Sequence, residues 1–129
     1  MGEYHEIWQA SAEMKGNVSL LRELIENIRD TGMTWARKRR ELTALQNRRK
    51  AVQVEIRDRL MAAAEARGEK LSVTAAMDES RAHPEYIACL DEIALKQFEV
   101  DAAEVAYTAA RALFQAAVTA PDEAGRVAA

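Results

Sequence analysis

The chain has 129 residues, 18 Lys and Arg against 21 Asp and Glu, and a formal net charge of −3. That length suits one domain, and the acidity excludes a uniformly basic molecule. A single cysteine, Cys89, excludes an internal disulfide and a CxxC-type metal site.

Five Gly, two Pro and 5% aromatics in a chain rich in Ala, Glu, Arg and Leu favour long helices. The N-terminal stretch lacks a basic segment followed by an apolar core, so no secretory leader is expected. No apolar run is long enough to cross a bilayer. A soluble cytoplasmic protein with no membrane contact is the expectation, organised as one helical domain over residues 1–129.

The first element is expected over residues 3–30. Tyr4, Ile7, Ser11, Met14, Val18, Leu21, Ile25 and Ile28 follow a 4-3 spacing, the seam of a helix packed along another helix. Gly16-Asn17 is expected to interrupt it, leaving residues 1–16 as a mobile arm or a separate short helix that carries Trp8. Asp30-Thr31-Gly32 is expected to close this element, with Gly32 as a C-terminal cap residue.

A second helix is expected from Thr34, as N-cap, to about Arg67. Trp35, Leu42, Ile56 and Ala63 lie on one heptad line and Leu45 and Val52 on the other, with Lys38, Arg49 and Arg59 interrupting them. Gly68 ends this helix and opens a connector over residues 68–84. Within it Ser72 or Thr74 is expected to cap a short helix through Ala82. Pro84 suits the first turn of a last helix running to Ala120, where Pro121 stops it and residues 121–129 form a frayed tail. Tyr86, Ile93, Val100, Tyr107 and Phe114 form one apolar heptad line of that helix. Leu90, Gln97, Glu104, Arg111 and Val118 form the second. The polar members of the second line either fix register or border solvent.

Charge segregates by element. Residues 34–68 hold ten Lys and Arg against four Asp and Glu, residues 69–129 hold five against eleven, and residues 1–33 hold three against six. The basic block Arg37, Lys38, Arg39, Arg40, Arg48, Arg49 and Lys50 is therefore read in two ways. It contacts the phosphates of single- or double-stranded DNA without reading sequence, or binds an acidic partner. Alternatively, it is a solvated helix answered by the acidic last helix, to which it would lie antiparallel.

Trp8 and Trp35, with the line Tyr86, Ile93, Val100, Tyr107 and Phe114, are the candidate interface anchors. His5, His83 and Cys89 are too scattered for a zinc site. His83 near Asp78, Glu79 and Glu85 reads as a capped short helix with surface carboxylates rather than an acid–base cluster. No nucleotide-binding or hydrolytic motif occurs, so neither catalysis nor a cofactor is expected.

From about Arg49 to Phe114, the segments AEARGEKLSV, TAAMDESRA, HPEY and VAYTAARALF resemble the layout of small helical proteins that bacteriophages encode beside single-strand-annealing recombination genes. The resemblance covers about half of the chain and implies a phage or prophage origin. It also implies an accessory role in DNA recombination or in contacting host machinery, with no catalytic residue to assign. Residues 1–33 lie outside it.

The fold expected is all-α: a long antiparallel, coiled-coil-like helical hairpin with an additional N-terminal helix, assembled as a homo-oligomer because so thin a core leaves a monomer marginal. The function expected is non-enzymatic. The chain would bind a phage or host protein of DNA recombination or host defence through long charged helices, with sequence-tolerant nucleic-acid binding through residues 34–59 as the alternative.

Overall fold

The computed structural model describes the backbone of residues 2–128 and the side chains of residues 16–119. Three helices and no strand occur among the described residues: α1 Gly2–Ala66, α2 Val73–Arg81 and α3 Pro84–Ala128. Contacts group the chain into two units, one of Met1–Trp35 with Ala102–Ala129 and one of Ala36–Asp101.

The expected break after Asp30 does not occur, so the separate N-terminal helix is part of α1. Neither Gly16 nor Gly32 interrupts it, and Thr34 caps nothing. A helical glycine costs only about 1 kcal/mol relative to alanine, which tertiary packing readily outweighs. Thr31 donates its hydroxyl back to the carbonyls of Asn27 at 2.6 Å and Ile28 at 3.2 Å, satisfying itself within the helix.

The inward row of α1 continues in phase through the position of the expected break. Leu21, Leu24, Ile28, Thr31, Trp35, Lys38, Leu42, Leu45, Arg49, Val52 and Ile56 are all buried or part-buried, at alternating spacings of three and four. Three expected seam members are corrected. Val18 and Ile25 are exposed and Leu24 takes their place. Ala63 is exposed, while Ala64 is buried because the row shifts by one residue near the helix end.

In the unit of residues 36–101, Ile56 is 1% exposed and Ala76 and Ser80, both on α2, are 0% exposed. These small buried residues let α2 approach closely, and Ser80 satisfies its hydroxyl by donating to the Met77 carbonyl at 2.6 Å. The connector is built from local caps. Gly68, at φ +73°, takes the left-handed position. Its N–H bonds the Glu65 carbonyl at 2.9 Å while the Glu69 N–H reaches the Ala64 carbonyl at 2.9 Å, the paired bonds of a Schellman ending. Ser72 caps α2 by accepting from the Ala75 N–H at 3.1 Å.

His83 precedes α3. Its Nδ1 accepts from the Glu85 N–H at 3.3 Å and its carbonyl from the Ile87 N–H at 3.0 Å. Pro84 then opens α3, where its missing N–H costs nothing. The helix does not stop at Pro121 but continues to Ala128. A helical proline leaves one carbonyl without its usual donor and need not end the helix on either side. Trp8, the proposed arm and the proposed tail fall where no side chains are described.

The second line expected on α3 borders solvent, the second of its two readings. Leu90, Gln97, Glu104, Arg111 and Val118 are all exposed. The inward partners of Tyr86, Ile93, Val100, Tyr107 and Phe114 are instead Cys89, Lys96, Ala103, Ala110 and Ala117, one position earlier.

In the unit containing Trp35 and residues 102–129, Trp35 stacks on Tyr107 with ring centroids 5.4 Å apart at 26°. The Arg111 guanidinium lies 5.7 Å from the Tyr107 ring centroid. Gly32 lies against the same ring, since a Cβ there would meet Tyr107 Cε2 at 3.2 Å.

Candidate functional site

Helix spacing decides which charges point inward. Lys38 and Lys96 both occupy inward rows, where a lysine requires a partner. Both find one in the unit of residues 36–101. Lys96 Nζ donates to Glu41 Oε2 at 2.8 Å and lies 2.7 Å from Glu99 Oε2. Lys38 Nζ lies 3.6 Å from Glu99 and 4.0 Å from Glu41, and Arg37 approaches Glu41 at 3.9 Å. The hydrogen bond from Lys96 holds the carboxyls of Glu41 and Glu99 below their usual range, and both bonds raise Lys96. A polar layer across a seam specifies register. Gln97, Glu104 and Arg111 border solvent, and the polar layer sits at Lys38 and Lys96. Lys96 falls seven residues after Cys89 and seven before Ala103, a spacing that a lysine's polarity conceals.

A second tie joins the same two helices nearer the connector. Arg59 grips Glu85 through both nitrogens, Nη1 to Oε1 at 3.1 Å and Nη2 to Oε2 at 2.7 Å. The Arg59 bond lowers Glu85 and raises Arg59. This tie and the quartet of Lys38, Glu41, Lys96 and Glu99 meet α1 and α3 in reverse order, 38 and 41 against 99 and 96, and 59 against 85.

Part of the basic block is therefore answered inside the molecule. Arg37 and Lys38 are paired, and Arg39 is also engaged. Among the described residues Arg40, Arg48, Arg49 and Lys50 have no ion-pair partner, and of these Arg49 is part-buried in the inward row. The outward row of α1 reads Ala36, Arg40, Thr43, Asn47 and Lys50, all exposed. Ala36, Arg39, Arg40 and Thr43 line a shallow groove on it.

The candidate anchors Tyr86, Ile93, Val100, Tyr107 and Phe114 all lie on the inward row of α3, buried or part-buried within their units. Other residues carry the exposed apolar surface of α3. In the unit of residues 36–101, Phe98 is 71% and Leu95 65% exposed, beside exposed Ile87, Leu90 and Ala94. In the other unit Val105, on the same helix, is 69% exposed. Spacings of three, four and seven put Ile87, Ala94 and Phe98 on the side of α3 opposite its inward row. Asp91 and Asp101 share that side, and Lys96 is the one cation between residues 84 and 110. Ile87, Ala94 and Phe98 are legible in the sequence as a partial second apolar face, although the anchor residues named from the sequence all lie on the inward line.

No group of three or more His, Cys, Asp or Glu that could hold a metal occurs among the described residues. No helix among them is long and apolar enough to cross a membrane. His83, with Asp78, Glu79 and Glu85 nearby in sequence, serves as the cap of α3. Comparison of the chain with family models, with curated proteins and with solved structures finds no match.

Proposed function

We propose that this chain is a non-enzymatic cytoplasmic binding protein, a long antiparallel helical hairpin with coiled-coil-like seams that docks a protein partner on the outward side of α3. The observation carrying this reading is the exposed cluster of Phe98 and Leu95 beside Ile87, Leu90 and Ala94, with Asp91 and Asp101 on the same side. A phenylalanine so exposed is a characteristic interface anchor. Self-association belongs to the same reading, because one helix layer laid on another leaves little buried core. The assignment of the partner to phage or host DNA recombination or host defence rests on the sequence resemblance. Capture from bacterial lysate by the wild type and by Phe98→Asp tests the face. A partner lost with Phe98→Asp supports the reading, and a partner held equally by both proteins refutes it.

A second reading, sequence-tolerant contact with DNA through residues 34–59, is favoured by exposed Arg40, Arg48 and Lys50, which have no acidic partner among the described residues. Salt-titrated binding to single- and double-stranded DNA tests it. Phosphate attraction is strongest at low salt, so an absence of binding there removes this reading.

A further inference from the structure

We infer that the occupant of the outward side of α3 is a second copy of this chain, which meets it with the basic outward row of its own α1. This rests on the protein-binding reading and names the partner. The two faces belong to one unit, residues 36–101, and point away from each other. They are complementary in chemistry. The α3 side offers Phe98, Leu95, Ala94 and Ile87 with Asp91 and Asp101, and its one nearby cation, Lys96, is turned inward and paired. The α1 side offers Arg40 and Lys50 around Thr43 and Asn47. Its one acid between residues 36 and 54, Glu41, is committed to Lys96.

The charges also match in spacing. Asp91 and Asp101 are ten residues apart, as are Arg40 and Lys50, so on either helix the rise between charges is about 15 Å. Laid antiparallel, with Asp91 at Lys50 and Asp101 at Arg40, the register brings Phe98 opposite Thr43. That places the ring over the shallow groove lined by Ala36, Arg39, Arg40 and Thr43. A guanidinium beside a ring adds a cation–π attraction to the buried area. A contact between two different faces does not close on itself after two copies, so it propagates into a ring or a lateral row.

Sedimentation of the full chain against concentration and salt tests this. The expected result is an average mass that rises beyond a dimer with concentration and falls with added salt. Phe98→Asp removes the α3 side, and Arg40→Glu with Lys50→Glu removes the α1 side. Each variant should weaken self-association at least about tenfold, roughly 1.4 kcal/mol. Each retains one intact face, so an equimolar mixture should form a dimer that grows no further. Asp91→Lys with Asp101→Lys, added to the Arg40→Glu, Lys50→Glu chain, should restore assembly. Unchanged far-ultraviolet circular dichroism checks that each variant folds, and Leu95→Lys replaces Phe98→Asp if that variant does not.

Several results overturn the proposal. A wild type monomeric at every concentration does so. Undiminished assembly of Arg40→Glu, Lys50→Glu does so as well, since it marks a contact of α3 with α3. Monomeric variants that do not pair when mixed also refute it. Phe98-dependent capture of a foreign protein by a monomeric wild type defeats self-docking alone. Loss of both self-association and Phe98-dependent capture defeats the protein-binding reading too. DNA held through Arg40 and Lys50 by a monomeric wild type gives the basic row to nucleic acid instead.

Discussion

Gly32 is the residue at which local preference and packing oppose each other, and Gly32→Ala separates them. Replacing a helical glycine by alanine gains about 1 kcal/mol of helix stability. At Gly16 the new Cβ meets nothing within 4 Å, so Gly16→Ala should realise that gain. At Gly32 the new Cβ would lie 3.2 Å from Tyr107 Cε2 and 3.4 Å from Cδ2. The ring would have to retreat by a few tenths of an ångström. It is stacked on Trp35 at 5.4 Å, with Arg111 5.7 Å from its centroid, so retreat disturbs both contacts.

An aromatic pair of this kind contributes about 0.5–1.5 kcal/mol beyond its buried area. Losing part of it cancels much of the alanine gain, and Gly32→Ala should be close to neutral. In a Tyr107→Ala background the obstacle is gone and the full gain of about 1 kcal/mol should return. Urea unfolding of the four proteins, followed by circular dichroism, measures the coupling as a double-mutant cycle. A coupling of about 0.5 kcal/mol or more is expected. If Gly32→Ala gains equally in both backgrounds, the ring contact is not what Gly32 serves.

The remaining predictions concern the seam and the connector. Glu41, Glu85 and Glu99 have folded pKa values below their usual 4.5, so their contribution to stability is complete above that value and is lost as pH falls through the lower folded value. Lys96→Met removes the leading cause for Glu41 and Glu99, and should flatten the decline of the urea midpoint below pH 4.5; an unchanged decline would contradict the quartet. Lys96 itself is raised above its usual 10.5, so its contribution is complete below that value and is lost as pH rises through the higher folded one. Ile56→Ala should cost about 2–5 kcal/mol in chemical denaturation, since the side chain is 1% exposed. Gly68→Ala should cost about 1–2 kcal/mol through its positive φ, and an unchanged melting temperature would rule out the Schellman ending.

The local punctuation of the connector was legible in the sequence. Gly68, Ser72 and the His83-Pro84 pair act through bonds to backbone only a few residues away, so their chemistry is complete without the rest of the chain. The helical class was equally legible from composition and from the heptad rows. The continuity of α1 was present as well, in the unbroken phase of Ile28, Thr31, Trp35 and Lys38. It was outweighed by the strong local signal of Gly32, whose reason for being small is Tyr107, far away in sequence.

Only the tertiary arrangement decided which rows of α3 face α1. Cys89, Ala103, Ala110 and Ala117 carry too little hydrophobic signal to mark a seam, and Lys96 carries the opposite one. Small residues matter there because they let backbones approach, a property of two helices together. The same holds for charge. Composition determined that residues 34–68 are basic and residues 69–129 acidic. Which cations are neutralised depends on side chains such as Lys38 and Glu99 meeting across a seam, while Arg40 and Lys50 project from the opposite side.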